Sequence, residues 1–229
     1  MRSFVLAAAI IGLSCTVAVV LLARGRAPAA VGKTPVPDPA FDEPLASSSG
    51  AETMVVAGGC FWGVQAVFQH VKGVVSATSG YAGGTARTAQ YEVVSSGRTG
   101  HAESVRITYD PSRISYGQLL KIFFTVAHDP TQLNEQGPDV GPQYRSAVFV
   151  AGEKQRRIAK AYVDQLDAAK VFGRRIVTAI DAGQTFYEAE AYHQDYFTRH
   201  PYDPYILVND RPKVDALRRQ FPDLYVERR

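Results

Sequence analysis

Cys60 follows Gly58-Gly59 and is followed at once by Phe61-Trp62-Gly63. Residues 53–57 ahead of it are a short apolar run that reads as a strand. Behind it, Trp62/Val64, Val67/Phe68 and Val71 recur at helical spacing. The cysteine is therefore expected at the start of a helix, where unpaired N–H groups and the positive end of the dipole favour a thiolate. Glycines beside it leave room for another group to approach. The competing assignment is a buried structural thiol, since free cysteine is among the most buried residue types. The strand–Gly-Gly–helix setting favours the nucleophile.

Glu103 is the second residue with chemical promise. Residues 103–109 alternate, so Glu103 shares one strand face with Val105, Ile107 and Tyr109. A carboxyl on an apolar face is costly as an anion, so it should keep its proton to higher pH and could act as a general acid. Because Glu103 opens the strand, escape to solvent is the alternative. Asp139, Tyr91 and Tyr144 are individually ordinary: a turn aspartate and two half-buried tyrosines whose hydroxyls could donate to a polar oxygen in an apolar pocket. His101, His128 and His193 are too widely spread for metal-ligand spacing. The run 80–84 lacks the Lys-Ser/Thr of a phosphate loop and reads as a turn.

The elements that must position these groups follow from pattern. The region 80–100 is glycine-rich and loop-like, with a short strand expected around 91–94. Ser115 is placed to cap a helix carrying Leu119, Leu120, Phe123, Phe124 and Ala127 on its core face. Residues 128–143 contain three prolines and read as a long irregular stretch. Strands are expected over 144–150 and 174–180, and helices over 153–170, 188–199 and 213–221. The fold class is α+β: a two-layer sandwich of helices on a mixed β-sheet with a ferredoxin-like core.

Composition narrows the function classes. Of 229 residues 46% are hydrophobic and 21% charged, as in an ordinary globular protein. The net charge is +3, and the first 50 residues hold four basic against three acidic side chains. The remainder thus has no basic block, and nucleic-acid binding has no electrostatic support. There are two cysteines, Cys15 and Cys60, which excludes a disulfide framework or a cysteine-built zinc site.

Residues 4–23 are 20 residues without a charge, preceded by Arg2 and followed by Arg24 and Arg26. Such a run can span a bilayer. Residues 1–26 are read as an uncleaved anchor that holds the domain in the cell envelope or periplasm, with a cleaved export signal as the alternative. Membrane contact is expected through residues 4–23 alone. Residues 27–50, with five prolines and Ser47-Ser48-Ser49-Gly50, read as a flexible linker, and 51–229 as one catalytic domain.

Several motifs, taken in order, resemble one family. They are Gly59-Cys60-Phe61-Trp62-Gly63, Gly80-Tyr81-Ala82-Gly83-Gly84, Tyr91-Glu92-Val93-Val94 and Thr99-Gly100-His101-Ala102-Glu103. Further on come His128-Asp129-Pro130-Thr131, then the run from Gly137-Pro138-Asp139 to Gln143-Tyr144-Arg145-Ser146, and Ala189-Glu190-Ala191-Tyr192-His193-Gln194. Together they are similar to the A-type peptide methionine sulfoxide reductases. The resemblance implies thiol-dependent reduction of methionine S-sulfoxide, free or in oxidised proteins, as a repair reaction under oxidative stress. It implies Cys60 as the nucleophile and Glu103 as the acid that protonates the departing oxygen. Tyr91 and Tyr144 would hold that oxygen, Asp139 would support them, and Phe61 and Trp62 would wall the substrate methyl group. It implies no metal and no bound cofactor.

Many relatives carry resolving cysteines near the C-terminus, whereas no cysteine follows Cys60 here. The expected cycle therefore uses one cysteine and an external thiol reductant of thioredoxin, glutaredoxin or glutathione type. The chain is expected to act as a monomer. Two rival readings stay open. One is a papain-like cysteine protease, because His193 and Asn209 lie 133 and 149 residues after Cys60, within the roughly 130–150 of that family. Its Cys-Gly-Ser/Ala-Cys-Trp/Tyr signature is missing. The other is a non-catalytic redox-sensing domain.

Overall fold

The computed structural model describes residues 35–227. Strand β1 (Glu52–Ala57) leads through Gly58-Gly59 into helix α1 (Phe61–Gln69), which returns to β2 (Val74–Ala82). A single helical turn, α2 (Tyr91–Val94), precedes β3 (Ala102–Tyr109) and helix α3 (Tyr116–Ile122). A two-residue ribbon, β4 (Glu135–Gln136) with β5 (Asp139–Val140), and a 3-10 turn at Pro142–Tyr144 lead to β6 (Ala147–Val150). Helix α4 (Glu153–Ala168), β7 (Ala179–Ala182), β8 (Phe186–Glu188), α5 (Tyr196–Arg199) and α6 (Arg211–Gln220) complete the chain.

One six-stranded sheet runs β7-β6-β1-β3-β2-β8. Only β6 and β7 pair in parallel, so the sheet is mixed. The central strands stand in the order fourth, first, third, second, with α1 and α3 in the two crossovers, which is the ferredoxin-like arrangement expected. The α3 N-terminus closes with a capping box. Ser115 Oγ accepts from the Gln118 N–H at 3.1 Å, and Gln118 Oε1 accepts from the Ser115 N–H at 3.0 Å. Leu119, Leu120, Phe123, Phe124 and Ala127 are all buried, as the periodicity required.

Several expected elements need correction. Gly80–Ala82 is not a turn but the end of β2, and the chain turns at Gly83, where φ is +97°. A Cβ on Gly80 would stand 2.3 Å from the Phe186 ring of β8, so close strand packing explains this glycine. Residues 91–94 form a helical turn rather than a strand. The helix expected over 188–199 is broken into β8, a 3-10 turn (Ala191–His193) and α5. Side chains win there over helical bonds. The Gln194 amide pairs with both the N–H and C=O of Ser79 and with Ala189 O, each at 3.0 Å. Of the strand expected over 174–180 only residues 179 and 180 fall in β7, and the one expected over 144–150 begins at Ala147, after the 3-10 turn.

Residues 35–50, read as part of a flexible linker, lie along the domain. Val36 is buried, Tyr162 donates to Pro37 O at 2.8 Å, Gln165 bonds Ala40 N and Asp38 O, and Asp42 accepts from Ser115 and Gly117 N. Composition misleads because these prolines and polar groups need no core of their own when helices α3 and α4 supply partners. The apolar run 4–23, Cys15 and residues 27–34 lie outside the described residues. Among the described residues no helix is long and apolar enough to cross a membrane.

Candidate active site

Cys60 is the N-cap residue of α1 and lines a cavity of about 220 Å³. Phe61, Trp62, Tyr91, Glu103, Asp139, Tyr144 and Tyr205 line it too. The structure thus gathers all seven sequence-derived site residues, from five separate segments, around one hole. Tyr205 is the addition that sequence reasoning missed.

Gly58 and Gly59 shape the approach to α1, though not by admitting an outside molecule. A Cβ on Gly58 would stand 3.0 Å from the His128 ring. One on Gly59, where φ is +87°, would stand 2.5 Å from the Gln136 side chain. The protein's own side chains fill that space.

The alternation of β3 puts Glu103 on the face that α1 covers. It is buried, which resolves the choice between pocket and solvent. One carboxyl oxygen accepts from the Phe61 N–H at 3.1 Å, fixing it beside the residue after the thiol. Burial raises the Glu103 pKa to about 8, assisted by Asp139 and Asp210 and opposed by the Phe61 N–H. The carboxyl is therefore mostly protonated at neutral pH and has a proton to give.

Cys60 departs from the expectation of a depressed thiol. Burial, then Glu103 where it is ionised and Asp210, push it up, while the Trp62 N–H and Lys213 act the other way. The helix start favours the anion, and desolvation outweighs it. Tyr144 is likewise held un-ionised, chiefly by burial, as are Tyr91 and Tyr205. Tyr91 and Tyr144 thus keep a proton to donate.

The Trp62 indole is clamped on several sides. It stacks on Tyr196 with centroids 3.8 Å apart and meets Tyr205 edge-on at 5.9 Å. Its Nε1–H donates to His193 Nδ1 at 3.2 Å. Tyr205 also donates its hydroxyl to Asp139 Oδ2, fixing the carboxyl that sequence reasoning placed in an unremarkable turn. Burial raises the Asp139 pKa, against the Tyr205 bond and Lys213. On β2, the Tyr81 hydroxyl donates to Glu190 at 2.8 Å, and the same carboxylate accepts from Tyr91 N at 3.0 Å, which orients α2 toward the cavity.

The protease set does not assemble. His193 Nδ1 is committed to Trp62, and Asn209 donates to Tyr205 O at 3.2 Å. A Cys–His–Asn set needs the imidazole bonded to the thiol on one side and the amide on the other. Among the described residues no group of three or more His, Cys, Asp or Glu side chains could hold a metal.

The sequence profile described as peptide methionine sulfoxide reductase matches residues 52–224. Peptide methionine sulfoxide reductase MsrA 2 of Mesorhizobium japonicum is 60% identical over 182 residues, covering 80% of this chain and 93% of that protein. The protein of the same name from Synechocystis is 50% identical over 190 residues, covering 82% and 89%. Of solved structures, methionine sulfoxide reductase A of Corynebacterium diphtheriae is similar with 37% identity and a TM-score of 0.58, covering 76% of this chain and 89% of that one. Mxr1 from Saccharomyces cerevisiae in reduced form is 30% identical with a TM-score of 0.59, covering 69% and 94%. With the profile matched across nearly the whole described domain, and the cysteine, carboxyl and tyrosines of its motifs gathered at one cavity, this chain belongs to the peptide methionine sulfoxide reductase family.

Proposed function

We propose that this protein reduces methionine S-sulfoxide to methionine, free or within oxidised proteins, by oxygen transfer to Cys60. The observation that carries the reading is a buried Glu103, bonded to the Phe61 N–H and sharing an aromatic-walled cavity with Cys60. Sulfoxide oxygen leaves only when protonated, and Glu103 has the proton at neutral pH. The Cys60 sulfur attacks the sulfoxide sulfur, Glu103 delivers a proton to the oxygen, and the O–H passes to Cys60 as the sulfur–oxygen bond of the substrate breaks. The products are methionine and a Cys60 sulfenic acid; the thiol proton restores Glu103. Two electrons leave the cysteine sulfur and reduce the substrate sulfur. Tyr91 and Tyr144 donate to the oxygen as charge grows on it, and Asp139, oriented by Tyr205, supports them. Phe61 and Trp62 form the wall for the S-methyl group.

With no cysteine after position 60, an external thiol completes the cycle. One thiol condenses with the sulfenic acid, releasing water and leaving a mixed disulfide. A second thiol exchanges with it and frees Cys60. Thioredoxin-like, glutaredoxin-like and glutathione-type reductants all supply this chemistry. The apolar run 4–23 fits a role in holding the enzyme in the cell envelope, which fractionation of cells with and without residues 1–26 tests.

The functional test mixes the full-length chain with separated S and R methionine sulfoxide esters and excess dithiothreitol, with Cys60→Ser beside it. Multiple turnovers on the S epimer, absent from Cys60→Ser, are expected. A folded protein that yields methionine from neither epimer would return the redox-sensor reading to the front.

A further inference from the structure

Asp210 and Lys213 are not used by the reaction above, yet they pack against the helix that starts at Cys60, Asp210 buried and Lys213 half-buried. Asp210 is 0% exposed. Its Oδ1 accepts from Lys213 Nζ at 3.2 Å, and its Oδ2 has no partner. A Cβ on Gly63 would stand 2.1 Å from Asp210 Oδ1 and 2.8 Å from Lys213 Nζ. The ion pair therefore occupies the space of a side chain at the third position of α1. In a capped helix that side chain leans back toward the N-cap residue, and here the N-cap residue is Cys60. A glycine at that position is what lets a lysine from the C-terminal segment stand over the first turn.

Among the described residues, the other groups lining the cavity of the thiol do not supply a cation. Glu103 faces it from β3 and Asp139 from β5, with Tyr91, Tyr144, Tyr196 and Tyr205 among the surrounding phenols. Of these, the carboxyls oppose an anion or are neutral, and the tyrosines are un-ionised. Within the pair, Asp210 acts against the Cys60 anion and is the stronger of the two, and Lys213 acts in its favour. An ion pair with a fully buried carboxylate is also a poor device for stability alone, since apolar residues of similar volume often pack as well or better.

We propose that Lys213, anchored by Asp210, is a positioning residue that stabilises the Cys60 thiolate during attack on the sulfoxide. The inference deepens the reductase reading and rests on it. Lys213 touches neither substrate nor the reacting atoms in this scheme; it acts through its charge.

The test is the pH dependence of Cys60 alkylation by iodoacetamide in the full chain without sulfoxide, read by peptide mapping so that Cys15 is counted apart. Turnover is measured alongside. Lys213→Met should move the alkylation midpoint up by about one pH unit, slowing both alkylation and turnover roughly tenfold near neutrality. Lys213→Arg should restore both. Asp210→Asn, which removes the opposing charge and keeps the shape, should move the midpoint down. A structural role alone would move both substitutions the same way or leave the midpoint in place, and either result overturns the proposal. If Lys213→Met does not fold, Asp210→Asn decides: a midpoint that fails to fall overturns it. Failure of the reductase reading would show differently, as absent turnover in every variant with the alkylation shifts intact.

Discussion

Two buried polar clusters lie on either side of Gly58-Gly59, and they are finished differently. Around His128 every polar atom has a partner. Nδ1 bonds Phe123 O at 3.1 Å, so it must donate, and Nε2 then accepts from the Ser146 hydroxyl at 2.7 Å. Ser146 in turn meets Thr178 at 2.7 Å, and the ring stacks on Phe123 at 4.0 Å. Around Cys60 the polar groups are left short. Glu103 accepts one backbone bond, His193 Nε2 and Asp210 Oδ2 have none, and the phenols keep protons to give. A satisfied cluster holds a fold together; one left unsatisfied stores donors and acceptors for a substrate.

The two clusters also carry opposite pH signatures. Burial lowers the His128 pKa from 6.5 to about 4. The folded state refuses a proton that the unfolded chain takes, so this stability is present above 6.5 and is lost as pH falls toward 4. Burial raises the Glu103 pKa from 4.5 to about 8. There the folded state keeps a proton that the unfolded chain releases, so stability is full below 4.5 and is lost as pH rises through about 8. Of these two groups, the one in the structural cluster loses its contribution toward acid and the one in the reactive cluster toward alkali.

The largest expected effect is at Glu103. Glu103→Gln should lower kcat/KM for the S sulfoxide by about 10²–10³-fold and remove the decline in activity above about pH 8 that the wild type should show. The same variant should be more stable than wild type at pH 9, by on the order of a few kcal/mol, with the margin shrinking toward pH 5 in denaturant titrations. Undiminished turnover would mean the proton comes from elsewhere. Tyr91→Phe and Tyr144→Phe come next, at roughly tenfold each in kcat/KM, falling on kcat because the donors act on charge that grows in the transition state. A loss confined to KM would make them binding groups only. The smallest effect on activity should come from the satisfied cluster. His128→Ala should cost about 2–4 kcal/mol of stability while leaving turnover per folded molecule within about twofold. A collapse of kcat with stability intact would break the contrast between the clusters.

Much of this was legible before any fold was known. The glycine turn and helical spacing put Cys60 at a helix start. The alternation over residues 103–109 put Glu103 on the face of Val105 and Ile107. Both are local patterns, and local backbone geometry enforces them. Asp139, Tyr91 and Tyr144 were ordinary residues by pattern and stood out only through the family motifs. Tyr205, Asp210 and Lys213 gave no signal, because their roles come from packing against a helix about 150 residues earlier in the chain. The misread stretches share a cause. Residues 188–199 and 35–50 are held by side-chain bonds to distant backbone, which neither periodicity nor composition encodes.

By itself the sequence determined the family and singled out Cys60 and Glu103 as candidates for nucleophile and acid, since each rests on residue identity or on spacing within one element. Only the tertiary structure decided whether those groups are charged. The covering of β3 by α1 buries Glu103 and raises its pKa. Burial raises the Cys60 thiol instead of leaving it depressed by the helix start, and the C-terminal segment brings Lys213 over that helix. Ionisation depends on the solvent removed and the charges brought near, and both are set by elements far apart in the chain.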